Sequence, residues 1–78
     1  MPKVIVYSTP ICPYCHQAKD FLKEHKVAFK DIDVSKNEAA AQEMMKKSHQ
    51  IGVPVIDIDG TIIIGYDKPA IKKALKLK

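Results

Sequence analysis

Cysteine is scarce in this chain, with two residues among 78, and several other features are missing. There is no run of 18 apolar residues, so no membrane-spanning helix is predicted. No basic segment followed by an apolar one opens the chain, so no secretory signal is predicted and we expect a cytoplasmic location. The few aromatic residues are not interleaved with the lysines, so we assign the net charge of +4 to solvated helix faces rather than to a nucleic-acid site.

The composition is that of an ordinary globular protein, with 46% hydrophobic and 28% charged residues. A chain of this length has no room for a second domain, so residues 1–78 are predicted to form one domain. No internal repeat, linker or low-complexity segment interrupts it. Nothing in the sequence favours an oligomer, and we expect a monomer.

Both cysteines belong to one motif, Cys12-Pro13-Tyr14-Cys15, which follows an apolar strand pattern at 4–7 and opens a helical pattern. A C-x-x-C motif at a strand-to-helix junction within a βαβ pattern is typical of a thioredoxin-like redox site. The first amide N–H groups of a helix lack intrahelical partners and carry positive partial charge. A thiolate placed there is stabilised, which favours redox chemistry.

The spacing assigns a role to each residue of the motif. Cys12 is predicted at the N-cap, and Pro13 at the first helical position, where a missing N–H costs nothing. Cys15 follows about one turn later, so its sulfur is predicted beside that of Cys12 but less exposed. Tyr14 is predicted to point away from the pair, towards a partner. Cys12 is therefore the expected nucleophile, and Cys15 the residue that resolves the mixed disulfide.

Three other interpretations of the motif compete with this one. A structural disulfide would close a very small loop, which constrains the unfolded chain little. A zinc site needs four ligands, and no second C-x-x-C or H-x-x-x-H pair is present. With His16 the motif also satisfies C-x-x-C-H, the haem-attachment pattern, for which Met44 or Met45 would be the axial ligand. The redox interpretation is preferred, and no metal or organic cofactor is predicted.

The hydrophobic pattern predicts the element order β-α-β-α-β-β-α, an α/β sandwich with a four-stranded mixed sheet. Strands are predicted over 4–7, 27–34, 54–58 and 61–64, and Asp59-Gly60 indicates an antiparallel hairpin. The first helix is predicted over 13–25. The second runs from a Ser35-Lys36-Asn37-Glu38 capping box to about 49, and the last begins at an Asp67 cap with Pro69 in its first turn.

The spacing of apolar residues also predicts which helix faces are buried. The expected inward residues are Ala18, Phe21, Leu22 and His25 in the first helix, Ala41, Met44, Met45 and Ser48 in the second, and Ala70, Ile71, Ala74 and Leu75 in the third.

This pattern closely resembles the glutaredoxin family of the thioredoxin fold, over nearly the whole chain. The resemblance rests on the element order, the cysteine motif, Gly52-Val53-Pro54-Val55 before the hairpin and Gly65-Tyr66-Asp67 before the last helix. It implies a dithiol–disulfide oxidoreductase that uses Cys12 and Cys15. It also implies that Pro54 follows a cis bond beside the cysteines, and that the Val53 backbone pairs with an extended thiol substrate.

The chain departs from the family pattern at two places. Thr9 stands where glutathione-using members commonly carry a basic residue, and Ile64-Gly65-Tyr66-Asp67 replaces a Gly-Gly-Cys-Asp-like run. The glycine-aromatic step resembles the small glutaredoxin-like electron donors of ribonucleotide reductase, which are reduced by thioredoxin reductase. The Asp67-Lys68-Pro69 run, however, differs from their Arg-Pro-Asp-like segment. Asp67 either receives the ammonium group of glutathione or is a plain N-cap.

The resemblance also implies the partners. We expect disulfide-containing proteins or glutathione as substrates, with glutathione as a possible co-substrate and a glutathione system or thioredoxin reductase as the reductant. The alternative is an iron–sulfur module, in which two protomers hold a [2Fe–2S] cluster through the first cysteine of each.

Overall fold

The computed structural model describes residues 3–50 and 52–76, and it has the predicted order β-α-β-α-β-β-α. The strands are β1 (Val4–Ser8), β2 (Lys30–Asp33), β3 (Val55–Ile58) and β4 (Thr61–Ile64). The helices are α1 (Pro13–Glu24), α2 (Glu38–Ser48) and α3 (Lys68–Leu75). Within this part of the chain, no helix is long and apolar enough to cross a membrane.

The strands form one mixed sheet in the order β2-β1-β3-β4. β1 pairs in parallel with β2 and antiparallel with β3, and β4 completes an antiparallel hairpin with β3. The hairpin turn contains Asp59 with φ 54° and Gly60 with φ 94°, as a two-residue turn of the primed type requires. The predicted fold class, an α/β sandwich of the thioredoxin type, is confirmed.

Two hydrophobic cores lie on opposite faces of the sheet, because successive side chains of a strand alternate between faces. The first core joins α1 and α3 to one face through Val4, Val6, Leu22 and Ile71. The second core joins α2 to the other face, where Met44 packs with residues of β1 and β3. This sandwich fixes the carboxyl end of β1, from which the cysteine loop departs.

A polar cluster also ties α2 to the sheet. The ammonium group of Lys47 donates to Tyr7 Oη and to Asp57 Oδ2, each at 2.8 Å, and lies 3.1 Å from Glu43 Oε1. Burial alone would raise the pKa of Asp57, but hydrogen bonds from Lys47 and the Gly60 amide outweigh it, and the pKa is lowered. Asp57 is therefore held as a carboxylate on the sheet side of α2.

The predicted capping box at Ser35 is wrong. Asn37 is the N-cap of α2, and its side-chain oxygen accepts a hydrogen bond of 3.0 Å from the Ala40 amide. Ser35 instead donates both its amide and its hydroxyl to Asp33 Oδ1, forming a local turn after β2. The side-chain hydrogen bond from Ser35 lowers the pKa of Asp33. The competing local partner explains why Ser35 does not cap the helix.

Two side chains predicted to face inward are exposed. α2 buries Ala40, Met44 and Ser48, so the prediction is confirmed for Met44 and Ser48. Ala40 is buried instead of Ala41, and 44% of Met45 is exposed. His25 follows the last turn of α1 and is also exposed, with its ring 4.4 Å from that of Phe21.

Strand β2 is shorter than predicted. It occupies four residues rather than the whole of 27–34, and Val27 and Phe29 pack against the first core before the strand begins. The start of α3 agrees with the prediction, since Asp67 is its N-cap and Pro69 lies in its first turn.

Candidate active site

Cys12 is the N-cap residue of α1, as predicted. Its backbone is extended, with φ −92° and ψ 111°, and Pro13 takes the first helical position. The Cys12 sulfur accepts a hydrogen bond of 3.3 Å from the Cys15 amide, in the role that a serine or aspartate oxygen usually plays. The sulfur thus lies at the start of the helix, where the amide N–H groups carry positive partial charge.

Cys15 lies one turn further on and is fully buried, whereas Cys12 is half-buried. Burial raises the pKa of the Cys15 thiol, and the hydrogen bond with Cys12 raises it further. Both residues are free thiols in this structure. The two thiols therefore differ in access to solvent, with Cys12 on the solvent side.

The loop before β3 closes the site on one side. The peptide bond between Val53 and Pro54 is cis, as the family resemblance implied, and Pro54 is fully buried. The Cys12 thiol donates to the Val53 carbonyl oxygen, with 3.8 Å between sulfur and oxygen. The Gly65 amide donates to the Pro54 carbonyl oxygen at 2.8 Å, which brings the segment before α3 beside the same loop.

The remaining predicted site residues, Tyr14 and Asp67, both have exposed side chains. Tyr14 is 61% exposed. Asp67 is exposed, and its carboxylate accepts from the Ala70 amide at 3.2 Å, so it caps α3. Tyr66 packs edge-on against Phe21, with 6.3 Å between the ring centroids.

Two features of the site were missed from the sequence, and the first is a charged pair next to Cys15. Lys19, one turn after Cys15, lies 3.1 Å from Asp31 Oδ2, and Ser8 donates to the other oxygen of Asp31 at 2.8 Å. Burial still dominates and keeps the pKa of Cys15 raised, and the Lys19 charge opposes it only in part. The four-residue spacing of Cys15 and Lys19 indicates that both lie on one side of the helix. Asp31 and Ser8, however, lie on two different strands, and no spacing in the sequence predicts that they meet Lys19.

The second missed feature is a groove beside Cys12, called the side groove below, with a volume of about 340 Å³. Its walls come from the loops after β1 and β2, from the outer side of α2 and from the loop before β3. They include Thr9, Val34, Ala41, Met45 and Val53. The exposed position of Met45 creates one of these walls.

No group of three or more histidine, cysteine, aspartate and glutamate side chains is arranged to hold a metal ion within residues 3–50 and 52–76.

A free dithiol at the start of a helix, on a four-stranded mixed sheet with a cis-proline loop beside it, defines the class of thioredoxin-fold oxidoreductases. Within this class, residues 4–63 match the glutaredoxin family model. The chain therefore belongs to the glutaredoxin family, whose members are thiol–disulfide oxidoreductases.

Individual relatives agree with this assignment. The chain is 44% identical over 71 residues to an uncharacterized glutaredoxin-like 8.6 kDa protein in the rubredoxin operon of Clostridium pasteurianum, covering 91% of this chain and 95% of that one. It is 40% identical over 67 residues to glutaredoxin 3 of Escherichia coli, covering 86% and 81%. The crystal structure of the thioredoxin-like protein BC3987 superposes with a TM-score of 0.87 at 32% identity, covering 92% and 99%.

Proposed function

We propose that this chain reduces protein disulfides or mixed disulfides through the Cys12–Cys15 dithiol, with electrons from glutathione or from thioredoxin reductase. One observation carries the proposal: the accessible Cys12 sulfur accepts a hydrogen bond from the Cys15 amide at the start of α1, and a second thiol lies buried behind it. This arrangement supplies one nucleophile and one internal resolving group.

The first step uses Cys12 as the nucleophile. Its thiolate attacks one sulfur of the substrate disulfide, the substrate S–S bond breaks, and a mixed disulfide forms between Cys12 and that sulfur. The other substrate sulfur leaves as a thiolate and takes a proton from solvent. The Cys15 amide stabilises the Cys12 thiolate before the attack, at the end of the helix that favours negative charge.

The second step uses Cys15. Its thiol loses a proton and attacks the Cys12 sulfur, so that the Cys12–Cys15 disulfide forms and the second substrate thiol is released. Two electrons and two protons have then passed from the dithiol to the substrate. Because burial keeps Cys15 protonated, it does not compete with Cys12 for the substrate in the first step.

Substrate positioning is assigned to the residues around the thiol. The Val53 backbone lies against the Cys12 sulfur and pairs with the extended chain that carries the substrate sulfur. The buried Pro54 holds this loop, and exposed Tyr14 contacts the partner. Asp67, which already caps α3, receives the ammonium group when the substrate is a glutathione mixed disulfide.

The proposal is tested by NADPH consumption with the oxidised protein in two assays. One assay contains glutathione and glutathione reductase, and the other contains thioredoxin reductase alone. Turnover in the first assay alone assigns glutathione as the reductant, and turnover in the second alone assigns thioredoxin reductase. Absence of turnover in both, with a protein whose Cys12–Cys15 disulfide is reducible by dithiothreitol, contradicts the proposal.

A further inference from the structure

The side groove shares two neighbours with Cys12. Thr9 and Val53 line it, and both also touch Cys12. The Cys12 amide donates to the Thr9 carbonyl oxygen at 3.4 Å, and the Cys12 sulfur lies 3.8 Å from the Val53 carbonyl oxygen. In the mixed disulfide the substrate sulfur is bonded to Cys12, so groups next to that sulfur lie within reach of the groove.

The walls of the side groove are suited to an apolar group. Its apolar lining residues are Val34, Ala41, Met44, Met45 and Val53. Among the described residues that line it, Glu38 is the single charged one, and no lysine or histidine is present. A carboxylate entering the groove would lose water, find no cation and face Glu38, whereas an aliphatic side chain would gain from leaving water.

The size of the groove and the surface around it indicate a polypeptide as the source of that group. A volume of about 340 Å³ is near the lower limit of small-ligand pockets, and it accommodates one side chain. Next to the thiol, Ile11 is 90% exposed and Tyr14 is 61% exposed, although large apolar side chains on both sides of a catalytic residue cost solubility. Exposed apolar patches of this kind mark protein interaction sites.

We propose that the side groove receives an apolar side chain from the segment that flanks the reactive cysteine of a disulfide-bonded protein. The preferred substrates are then protein disulfides with a leucine-like residue within two positions of the attacked cysteine. This inference rests on the proposed function, and it selects protein disulfides over small anionic disulfides.

The test compares short peptide disulfides that differ at one position near the cysteine, carrying leucine, serine or glutamate there. Stopped-flow measurements with the pre-reduced protein give the second-order rate constant for each. We expect the best leucine peptide to react about tenfold faster than its serine counterpart, which corresponds to about 1.4 kcal/mol and to partial burial of the side chain. The glutamate peptide should be slower than the serine one.

Substitutions in the walls of the side groove test whether the leucine preference arises there. Met45→Gln makes one wall polar, and Ala41→Leu fills part of the space, so each should reduce the leucine preference to about twofold or less. Ile64→Gln is the matched control: it is a similar change at a side chain that is 53% exposed, on β4 at the opposite edge of the sheet from β2. It should leave the preference unchanged.

Three outcomes overturn the inference. They are equal rates for all three peptides, a leucine preference that persists in both groove variants, and a concentration-dependent dimer that Met45→Gln dissociates, which would mean that a second copy fills the groove. If no peptide disulfide reacts at all while the protein is folded and reduced, the proposed function has failed rather than the groove assignment.

Discussion

The amide of Cys15 donates a hydrogen bond to the sulfur of Cys12 across 3.3 Å, while the Cys15 side chain is fully buried. In the proposed mechanism, Cys15 supports the nucleophile through its backbone and resolves the mixed disulfide through its side chain. The two contributions are separable, because a change of side chain leaves the amide in place.

Replacing each cysteine by serine should therefore give different results. We expect Cys12→Ser to reduce disulfide reduction to background, since the nucleophile is lost. Cys15→Ser should still perform the first step and accumulate a mixed disulfide with the substrate. Mass spectrometry under non-reducing conditions detects this adduct, and circular dichroism checks that both variants are folded. Full turnover by Cys12→Ser would contradict the role assigned to Cys12.

The N-cap of α2 gives a stability prediction with an internal control. Asn37→Ala removes the side-chain acceptor for the Ala40 amide and should lower the free energy of unfolding by about 1 kcal/mol. Ser35→Ala, two residues earlier, should cost less than about 0.5 kcal/mol, because Ser35 belongs to an exposed turn. Urea denaturation measures both, and a larger loss from Ser35→Ala would restore the capping box predicted from the sequence.

The Asp57 carboxylate makes stability depend on pH in the acid range. Its folded pKa is lowered, so its contribution is present above the unfolded value of about 3.9 and is lost as the pH falls through the folded pKa. At neutral pH, Asp57→Asn should lower the free energy of unfolding by about 1–3 kcal/mol, because Lys47 loses a charged partner. The difference in the free energy of unfolding between the wild type and Asp57→Asn should shrink as the pH falls below about 4.

Urea denaturation at pH 7, 5, 4 and 3 measures this dependence. Asp20→Asn, on the exposed side of α1, is the control and should change the free energy of unfolding little at neutral pH. If the free energy of unfolding differs between wild type and Asp57→Asn by the same amount at every pH, the carboxylate charge does not stabilise the contact with Lys47.

The iron–sulfur alternative leads to a separate prediction. A cluster shared by two protomers would take one accessible thiolate from each, and only Cys12 of the pair is accessible. The exposed Tyr14 ring next to Cys12 would stand between the two protomers. We therefore expect anaerobic incubation with iron, sulfide and glutathione to leave a colourless monomer. Visible absorbance together with a dimer would support the alternative.

Local signals account for the parts of the fold that were predicted well. Asp59-Gly60 is a strong turn dipeptide, and Asp67 with Pro69 marks a helix start, so the hairpin and α3 have the predicted positions. The cysteine motif likewise carries its own N-cap and first-turn proline. In each case, neighbouring residues suffice to determine the structure.

Long-range packing explains what the sequence did not predict. In α2, the runs 39–41 and 44–45 contain similar apolar residues, so periodicity alone does not distinguish a stripe at 40, 44 and 48 from one displaced by a single residue. Contact of Met44 with Tyr7 and Val55 selects the first. The side groove depends on that selection and on three loops that are distant in sequence.

The two edge strands of the sheet differ in charge. β2 presents Lys30, Asp31 and Asp33 along one edge, and charged edge strands discourage pairing with another chain. β4 forms the opposite edge with the sequence Thr-Ile-Ile-Ile, and Ile64 is half exposed there. An amyloid-like or crystalline filament of this protein would thus grow from β4, and a lysine at position 64 would be the simplest means of keeping concentrated samples in solution.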